Sequence, residues 1–404
     1  MGEPERDENG RFVKNTSAPD DGPNFVDIGM SDAKAKLAVD PGEELTEADV
    51  LRKVGLDPQE WAVHELRRRR VETADGERAS ISVVARRRAV ALAETLVDPS
   101  AVQEQLDAWV ARTEPHRPLL PKAAGRAAQD AMVLVLADWQ VGGAAGARGT
   151  TDTIARVLGA FDAAADRVAA LRASGRNVRT LNLFGLGDIV ESCTGFYASQ
   201  LFSVDMTLRQ QITTSWQLVL AGIVKLAPLF EEVVVEGVGG NHGELNRVAG
   251  KQQTAPSDNL DLLVFDAVKL AVEGRPELEH VSILQPDNPL FDVVDVCGVP
   301  VGLTHGHLFN GGQNPSAKAE RWWRGQTFGR TPLAGARLLL SGHYHSFAAA
   351  EWSQEGRTWM QAPAMDNGSQ WFTDSSGLSA PPGMLSLVVG ETCGPRGWDD
   401  LKIL

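Results

Sequence analysis

The chain has 404 residues, a formal net charge of −14, 43% apolar residues and 23% charged ones. That length allows one large catalytic domain with a smaller attachment, and the apolar and charged fractions are ordinary for a globular protein able to bury a core. The acidity excludes bulk electrostatic attraction to nucleic acid, and the chain shows neither a signal-peptide pattern nor an apolar run near the about 18 residues of a membrane helix, so a cytoplasmic location without a membrane partner is expected.

Residues 1–40 are rich in Asp, Glu, Gly and Pro, show no period, and read as a disordered acidic tail. Residues 1–60 hold 7 Lys/Arg against 15 Asp/Glu. Residues 41–112 read as a small module. In it Thr46 caps a short helix through Val50, Leu51 and Val54 that Gly55 ends. The runs Trp61–Val71 and Ala79–Arg87 then form a hairpin around Asp75-Gly76. Arg67, Arg68, Arg69, Arg70, Arg78, Arg86, Arg87 and Arg88 face four acids, so residues 61–90 are locally +4. A helix is expected over about 100–112, with Ala101, Leu106, Trp109 and Val110 as its apolar points. Residues 113–130 read as a linker, since Thr113–Ala124 carries three prolines and few periodic apolar residues.

From residue 131 to 404 the pattern is that of a catalytic domain. Met132–Ala137 is a continuous apolar run, as in a strand buried on both faces. Thr151–Ala173 places Ile154, Val157, Leu158, Phe161, Val168 and Leu171 at helical spacing. Strands follow at Val178–Leu186 and Glu232–Val238, and helices at about 205–228 and 259–272. After residue 280 the pattern is mostly strands, at 281–285, 291–296, 299–304, 337–341, 346–352, 357–361 and 384–389. An α/β fold fits, with a mixed sheet or sandwich and helices outside. Cys193, Cys297 and Cys393 include no CxxC pair, which supports neither a disulfide framework nor a zinc ribbon.

The chemistry lies at the strand ends. Asp138-Trp139-Gln140 follows the first strand and Gly187-Asp188-Ile189-Val190-Glu191 the second. Gly239-Gly240-Asn241-His242-Gly243-Glu244, His305-Gly306-His307 and Gly342-His343-Tyr344-His345 follow later ones. Strand ends let side chains converge on one site without disturbing a core. Asp, Asn and His offer oxygen and nitrogen donors suited to Mn²⁺, Fe²⁺, Zn²⁺ or Co²⁺. Five of the eight histidines lie in these motifs. On a strand, His343 and His345 would share one side, about 7 Å apart. No GxSxG elbow occurs, no GxGxxG opens a helix, and Gly250-Lys251 has Leu245 where a P-loop needs its first glycine.

The order D-x-[HQ], GDxxE, GNH, HGH, GHxH over about residues 130–350 resembles the calcineurin-like metallophosphoesterase superfamily. Ala317–Gln326 with Trp322-Trp323, and Asp366–Phe372 with GSQWF, are similar to phage-encoded members, and there is some resemblance to the DNA-repair nuclease branch. The resemblance implies a four-layer αββα sandwich with a small N-terminal α+β module and two divalent metal ions, Mn²⁺ first, with Fe, Zn or Co as alternatives. By motif, Asp138 and His345 would hold one ion, Asp188 would bridge both, and Asn241, His305 and His343 would hold the other. His242 would be the catalytic histidine at the leaving group. Gln140 stands where the family usually has His, so it is expected to bind the first ion weakly or through water. Glu244 either orients His242 or is a solvated loop acid, and His307 either lines the pocket or is structural. Glu191 reads as a residue behind the ligands.

The implied reaction is phosphodiester hydrolysis in DNA or RNA by attack of a metal-bound hydroxide. The arginine ribbon, Trp322, Trp323 and Arg324 are candidates to grip phosphates and stack bases. The ribbon reads equally as a solvated strand face, and the tryptophans equally as core. A phosphomonoesterase on nucleotides, small molecules or phosphoproteins is the alternative, and a non-catalytic nucleic-acid-binding module the third reading. For a phage-encoded enzyme the cytoplasm is the host's.

Overall fold

The computed structural model describes residues 25–28, 32–40, 42–59, 61–73, 76–87, 97–112, 129–144, 149–195, 200, 203–245, 247–248, 251–252, 254–352, 356–366 and 380–404. The chain divides into two compact units, Met1–Ala91 and Leu92–Leu404.

The first unit is a four-stranded antiparallel sheet in the order β1-β2-β4-β3, with β1 Phe25–Ile28, β2 Asp32–Val39, β3 Trp61–Thr73 and β4 Gly76–Arg87. Helix α1, Glu47–Lys53, starts on a capping box in which Thr46 and Asp49 bond each other's backbone N–H. Its Val50 and Leu51 pack with Ala33, Ala35, Leu37, Ile81, Val83 and Ala85. Two of the strands lie where the sequence reading expects disorder. The apolar alternation in β2 runs Ala33, Ala35, Leu37 around Lys34 and Lys36, and two small alanines make it faint. Ala74, Asp75 and Arg88, and the greater part of the expected linker (113–128), lie outside the described residues.

In the second unit, α2 (Pro99–Ala111) buries Val102, Leu106 and Trp109 in the large core, with the Trp109 indole N–H donating to Asp162 at 3.0 Å. This helix therefore belongs with the second unit, not with the small module as the sequence reading has it. The remaining helices are α3 Thr150–Ala173, α4 Leu208–Leu226, α5 Leu260–Val272 and α6 Pro315–Gly329.

One six-stranded sheet runs β10-β7-β6-β5-β16-β17, and one five-stranded sheet runs β11-β12-β13-β15-β14. In the first, β5 (Asp130–Leu136), β6 (Val178–Gly185), β7 (Glu232–Gly237) and β10 (Val281–Ile283) are parallel. Antiparallel β16 (Leu385–Val389) and β17 (Trp398–Ile403) extend one edge. The second is made of β11 Phe291–Val296, β12 Val299–Thr304, β13 Leu338–Ser341, β14 Ala348–Glu351 and β15 Thr358–Gln361. The two-residue strands β8 (Arg247–Val248) and β9 (Lys251–Gln252) pair as a small ribbon.

Side-chain alternation sets the layers. In β5, Met132, Leu134 and Leu136 face a core shared with α2 to α5, while Ala131, Val133 and Val135 face a second core with Val299, Val301, Leu303, Leu338, Leu340 and Met360 of the other sheet. Leu339 and Trp359 turn away from that core, toward Ala319 and Trp323 of α6. The result is helix, sheet, sheet, helix, the expected αββα sandwich.

Helix α4 with the turn that follows it, Leu208–Leu229, is long and apolar enough to cross a membrane by length and composition alone, at a mean hydropathy of 1.3. The sequence reading finds no such run. In the fold just over half of its most apolar 18 residues are buried, and the helix also buries the polar Gln211, Thr214 and Ser215, as a core helix does. All three cysteines are free thiols.

Candidate metal centre

The carboxyl ends of β5, β6, β7, β12 and β13 deliver the five motifs to one place. Asp188 is buried after β6, and its Oδ2 lies 2.9 Å from Nε2 of His305. The same imidazole nitrogen is 3.0 Å from Asn241 Oδ1 and 3.2 Å from His343 Nδ1. His305 is oriented from behind, where Nδ1 lies 2.7 Å from the Leu186 carbonyl. The ligand atoms of Asp188, His305 and His343 fall within 4.8 Å of one another, a group that can hold a divalent ion.

Asp138 forms the adjoining half. Its Oδ2 accepts the His343 backbone N–H at 2.9 Å, and His345 Nε2 is 3.5 Å from its Oδ1. Fully buried, that Oδ1 has no hydrogen-bond partner, an arrangement that hydrogen bonding within the chain leaves incomplete. The second nitrogen of His345 is 3.8 Å from Asp366 Oδ1. His343 and His345 do not share a strand side. Both follow β13 with left-handed backbone, φ 77° and 55°, and they turn to different partners.

Backbone strain marks the site. Asp138, Gln140, Asp188, His343 and His345 are five of the nine non-glycine residues with positive φ among the described residues. The loops also approach closely. A Cβ on Gly187 would lie 2.5 Å from the Gly240 Cα, and one on Gly342 would lie 2.4 Å from Asp138 Oδ2.

His242 lies beside this cluster. Its N–H donates to Asp188 Oδ1 at 2.7 Å, and its Nδ1 is 3.2 Å from both the carbonyl and the Oε2 of Glu191. Glu191 thus sets a carboxylate beside His242, and the main-chain carbonyl of Glu244 accepts from the Thr194 hydroxyl at 3.0 Å. Gln140 presents its amide nitrogen 3.3 Å from His242 Nε2. The His307 ring is 5.4 Å from that of His305 and 6.3 Å from that of His343.

Electrostatics follow from this packing. Burial alone would raise the Asp188 carboxyl, but the adjacent His305 and His242 hold it well below the usual carboxylate range. Burial opposes charge on His242, yet Asp188 and Glu191 push it up to about 10. His305 rises to about 9 against its own burial because of Asp188, and His345 to about 9 against its burial through Asp138 and Asp366. Burial first, then the charge of His305, drives His343 well below its ordinary value.

The tryptophans separate. Trp323 is a core residue, 4% exposed, with its indole N–H on the Leu333 carbonyl at 2.8 Å, so it offers no face for stacking bases. Trp322 is half-buried against Phe291 and Phe309, with ring centroids 6.2 and 5.1 Å away. Arg324 is exposed and pairs with Glu320 at 2.7 Å. The GSQWF segment lies outside the described residues.

No protein-family model matches the chain, and no curated protein matches it in sequence. Solved structures do match. Vacuolar protein sorting 29 from Cryptosporidium parvum is 12% identical over 65% of this chain and 86% of that one, at a TM-score of 0.30. The Entamoeba histolytica protein of the same name, complexed with Zn²⁺, is 12% identical over 68% and 98%, at 0.29. The Chaetomium thermophilum one is 9% identical over 69% and 96%, at 0.28. At these scores no conclusion about this chain follows from the likeness.

The residues themselves fit divalent cations: two buried carboxylates, one of them with an orphaned oxygen, an amide oxygen and three imidazoles. Behind them stands a residue the sequence reading missed. Asp261, in the first turn of α5, accepts N–H bonds from Asp188, Ile189 and Gly240 at 2.9 Å each and from Val190 at 3.4 Å. One carboxylate thereby ties together the two loops that carry Asp188 and Asn241. Burial, then the charge of Asp188, raises it to about 6. An acid just after the Asn259 cap was its only sequence signal.

Proposed function

We propose that this protein is a two-metal phosphoesterase hydrolysing phosphodiester bonds, with nucleic acid as the first substrate class. The observation that carries the reading is the convergence of Asp188, Asn241, His305 and His343 on one buried point beside Asp138 and His345. Asp138 and His345 would hold one ion, Asn241, His305 and His343 the other, and Asp188 both. Two divalent ions, Mn²⁺ first, would supply Lewis acidity toward phosphoryl oxygens and a nucleophile at neutral pH.

The chain's own residues do the rest. Asp138 and Asp188 offset the cation charge. Glu191 fixes His242 from its Nδ1 side, leaving Nε2 to give a proton to the departing oxygen. Asp261 holds the two loops in register, so these groups are set before substrate arrives.

Support for nucleic acid comes from the first unit. Arg67, Arg68, Arg69 and Arg70 of β3 are exposed beyond the core that α1 covers, although Arg67 is paired with Glu65 at 2.6 Å. The net charge of −14 favours the second reading, a monoesterase on small or protein-borne phosphates. A cytoplasmic place, the host's for a phage enzyme, belongs to the same proposal.

The test compares a chromogenic phosphodiester with the matching monoester in added Mn²⁺, then single-stranded and duplex DNA. The diester is expected to be cleaved faster. A combined Arg67→Ala, Arg69→Ala variant should slow on DNA and keep its rate on the small diester. Selective monoester cleavage overturns the diester reading, and no turnover with any divalent ion favours a non-catalytic binding module.

A further inference from the structure

Gln140 stands where the resemblance leads one to expect a histidine ligand, and its amide nitrogen meets His242. Its backbone is locked. The N–H donates to the Asp188 carbonyl at 2.9 Å, the carbonyl accepts from Gly143 at 2.8 Å, and φ is 44°, a left-handed value unusual for a long side chain. With the backbone fixed and the residue 8% exposed, few positions remain for the amide, and it sits 3.3 Å from His242 Nε2.

The other side of the imidazole decides what that contact is. Nδ1 lies 3.2 Å from the Glu191 carbonyl, a group that can only accept. Nδ1 therefore carries a proton, and Nε2 is the nitrogen left to face a substrate. Near Nε2 lie the Gln140 amide nitrogen at 3.3 Å and Asp188 Oδ2 at 4.0 Å. A ring held only through Nδ1 can swing about that bond. A second contact at Nε2 stops the swing and aims that nitrogen.

We propose that Gln140 is a positioning residue for His242 and not a ligand of the first cation. The proposal rests on the phosphoesterase reading for the task of His242, but not for the contact itself. An amide suits the task because it carries a donor and an acceptor on one carbon, so it can hold Nε2 whether that nitrogen accepts or donates. A histidine bound to a cation at this position keeps only its second N–H, a donor with no acceptor beside it. The first cation is then left with Asp138, His345 and the shared Asp188 as its protein ligands.

The experiment uses the full chain with Gln140→Met, similar in length but unable to hydrogen-bond, and Gln140→Ala as the variant that tolerates any packing. Mn²⁺ binding is measured by calorimetry, and hydrolysis is measured on a p-nitrophenyl diester and on a dinucleotide, whose alkoxide leaves poorly. Mn²⁺ stoichiometry and affinity should match wild type. Turnover of the dinucleotide should fall about tenfold, as expected when a proton donor loses its aim, while the p-nitrophenyl ester keeps its rate. Histidine-labelled ¹⁵N spectra of the metal-free chain should show the His242 Nε2 signal moving in both variants. Weaker Mn²⁺ binding with equal losses on both esters would make Gln140 a ligand and overturn the proposal, as would an unmoved Nε2 signal. If wild type cleaves neither ester, the phosphoesterase reading fails, and the spectra and the Mn²⁺ titration still decide where Gln140 points.

Discussion

Asp188 Oδ2 lies 2.9 Å from His305 Nε2, and that contact joins the ends of two different sheets. Asp188 follows β6 in the six-stranded sheet and His305 follows β12 in the five-stranded one. Neither sheet alone can complete the centre, so it forms only when the sandwich does. Replacing Asp188 by Asn removes the carboxylate that we propose both halves share. We expect loss of Mn²⁺ from both sites, with activity down by at least about 100-fold, more than loss of an outer partner brings. Metal content after gel filtration and diester hydrolysis measure the two effects. Retention of two ions by the variant contradicts the bridging role.

His242→Asn keeps a polar side chain but loses the ring nitrogen opposite Glu191. Metal content should stay at the wild-type value, and turnover on poor leaving groups should fall about 10²- to 10⁴-fold, the usual share of general acid catalysis. A full rate on such substrates would remove His242 from the reaction.

Asp261→Asn leaves one acceptor oxygen and sets an amide NH₂ against backbone N–H donors. Unsatisfied buried donors should lower stability by about 1–3 kcal/mol. If Asp261 positions the ligand loops, Mn²⁺ affinity also falls about 10- to 100-fold. Denaturant midpoints of the metal-free chain and calorimetric titration separate the two effects. Lower stability with unchanged affinity would reduce Asp261 to scaffolding.

Glu236 in β7 faces Asp292 in β11, between the two sheets. Burial first, then its hydrogen bond to Asp292 and the negative charges of Asp292 and Asp287, push it up to about 8 from an ordinary 4.5. A raised folded-state value means the native chain holds a proton that the unfolded chain has released. The stabilisation is full below about pH 4.5 and is lost as pH rises through about 8. Glu236→Gln should flatten this fall, so the variant gains on wild type between about pH 5 and pH 9 in thermal melts. Parallel curves for the two proteins would contradict the buried, proton-bearing carboxyl.

The strand ends were legible because residue type and place coincide there. Asp188 after Leu181–Leu186, or His305 after Val299–Leu303, needs only a strand pattern and a donor side chain to be noticed. Asp261 was hidden because its partners are backbone N–H groups up to 73 residues away, which no spacing rule encodes. The contact of Gln140 with His242 was hidden for a similar reason, since the two are 102 residues apart. Trp323 carried a readable sign that went unused: with Ala319 four residues before it and also buried, it has the helical spacing of a core stripe. Strand β2 was lost because alanine alternation is a weak signal.

The most direct measurement is anomalous diffraction from crystals of the full chain soaked in Mn²⁺. The account predicts two peaks flanking the Asp188 carboxylate, one toward Asp138 and His345 and one toward Asn241, His305 and His343. A lone peak away from Asp188, or none among these residues, would contradict it.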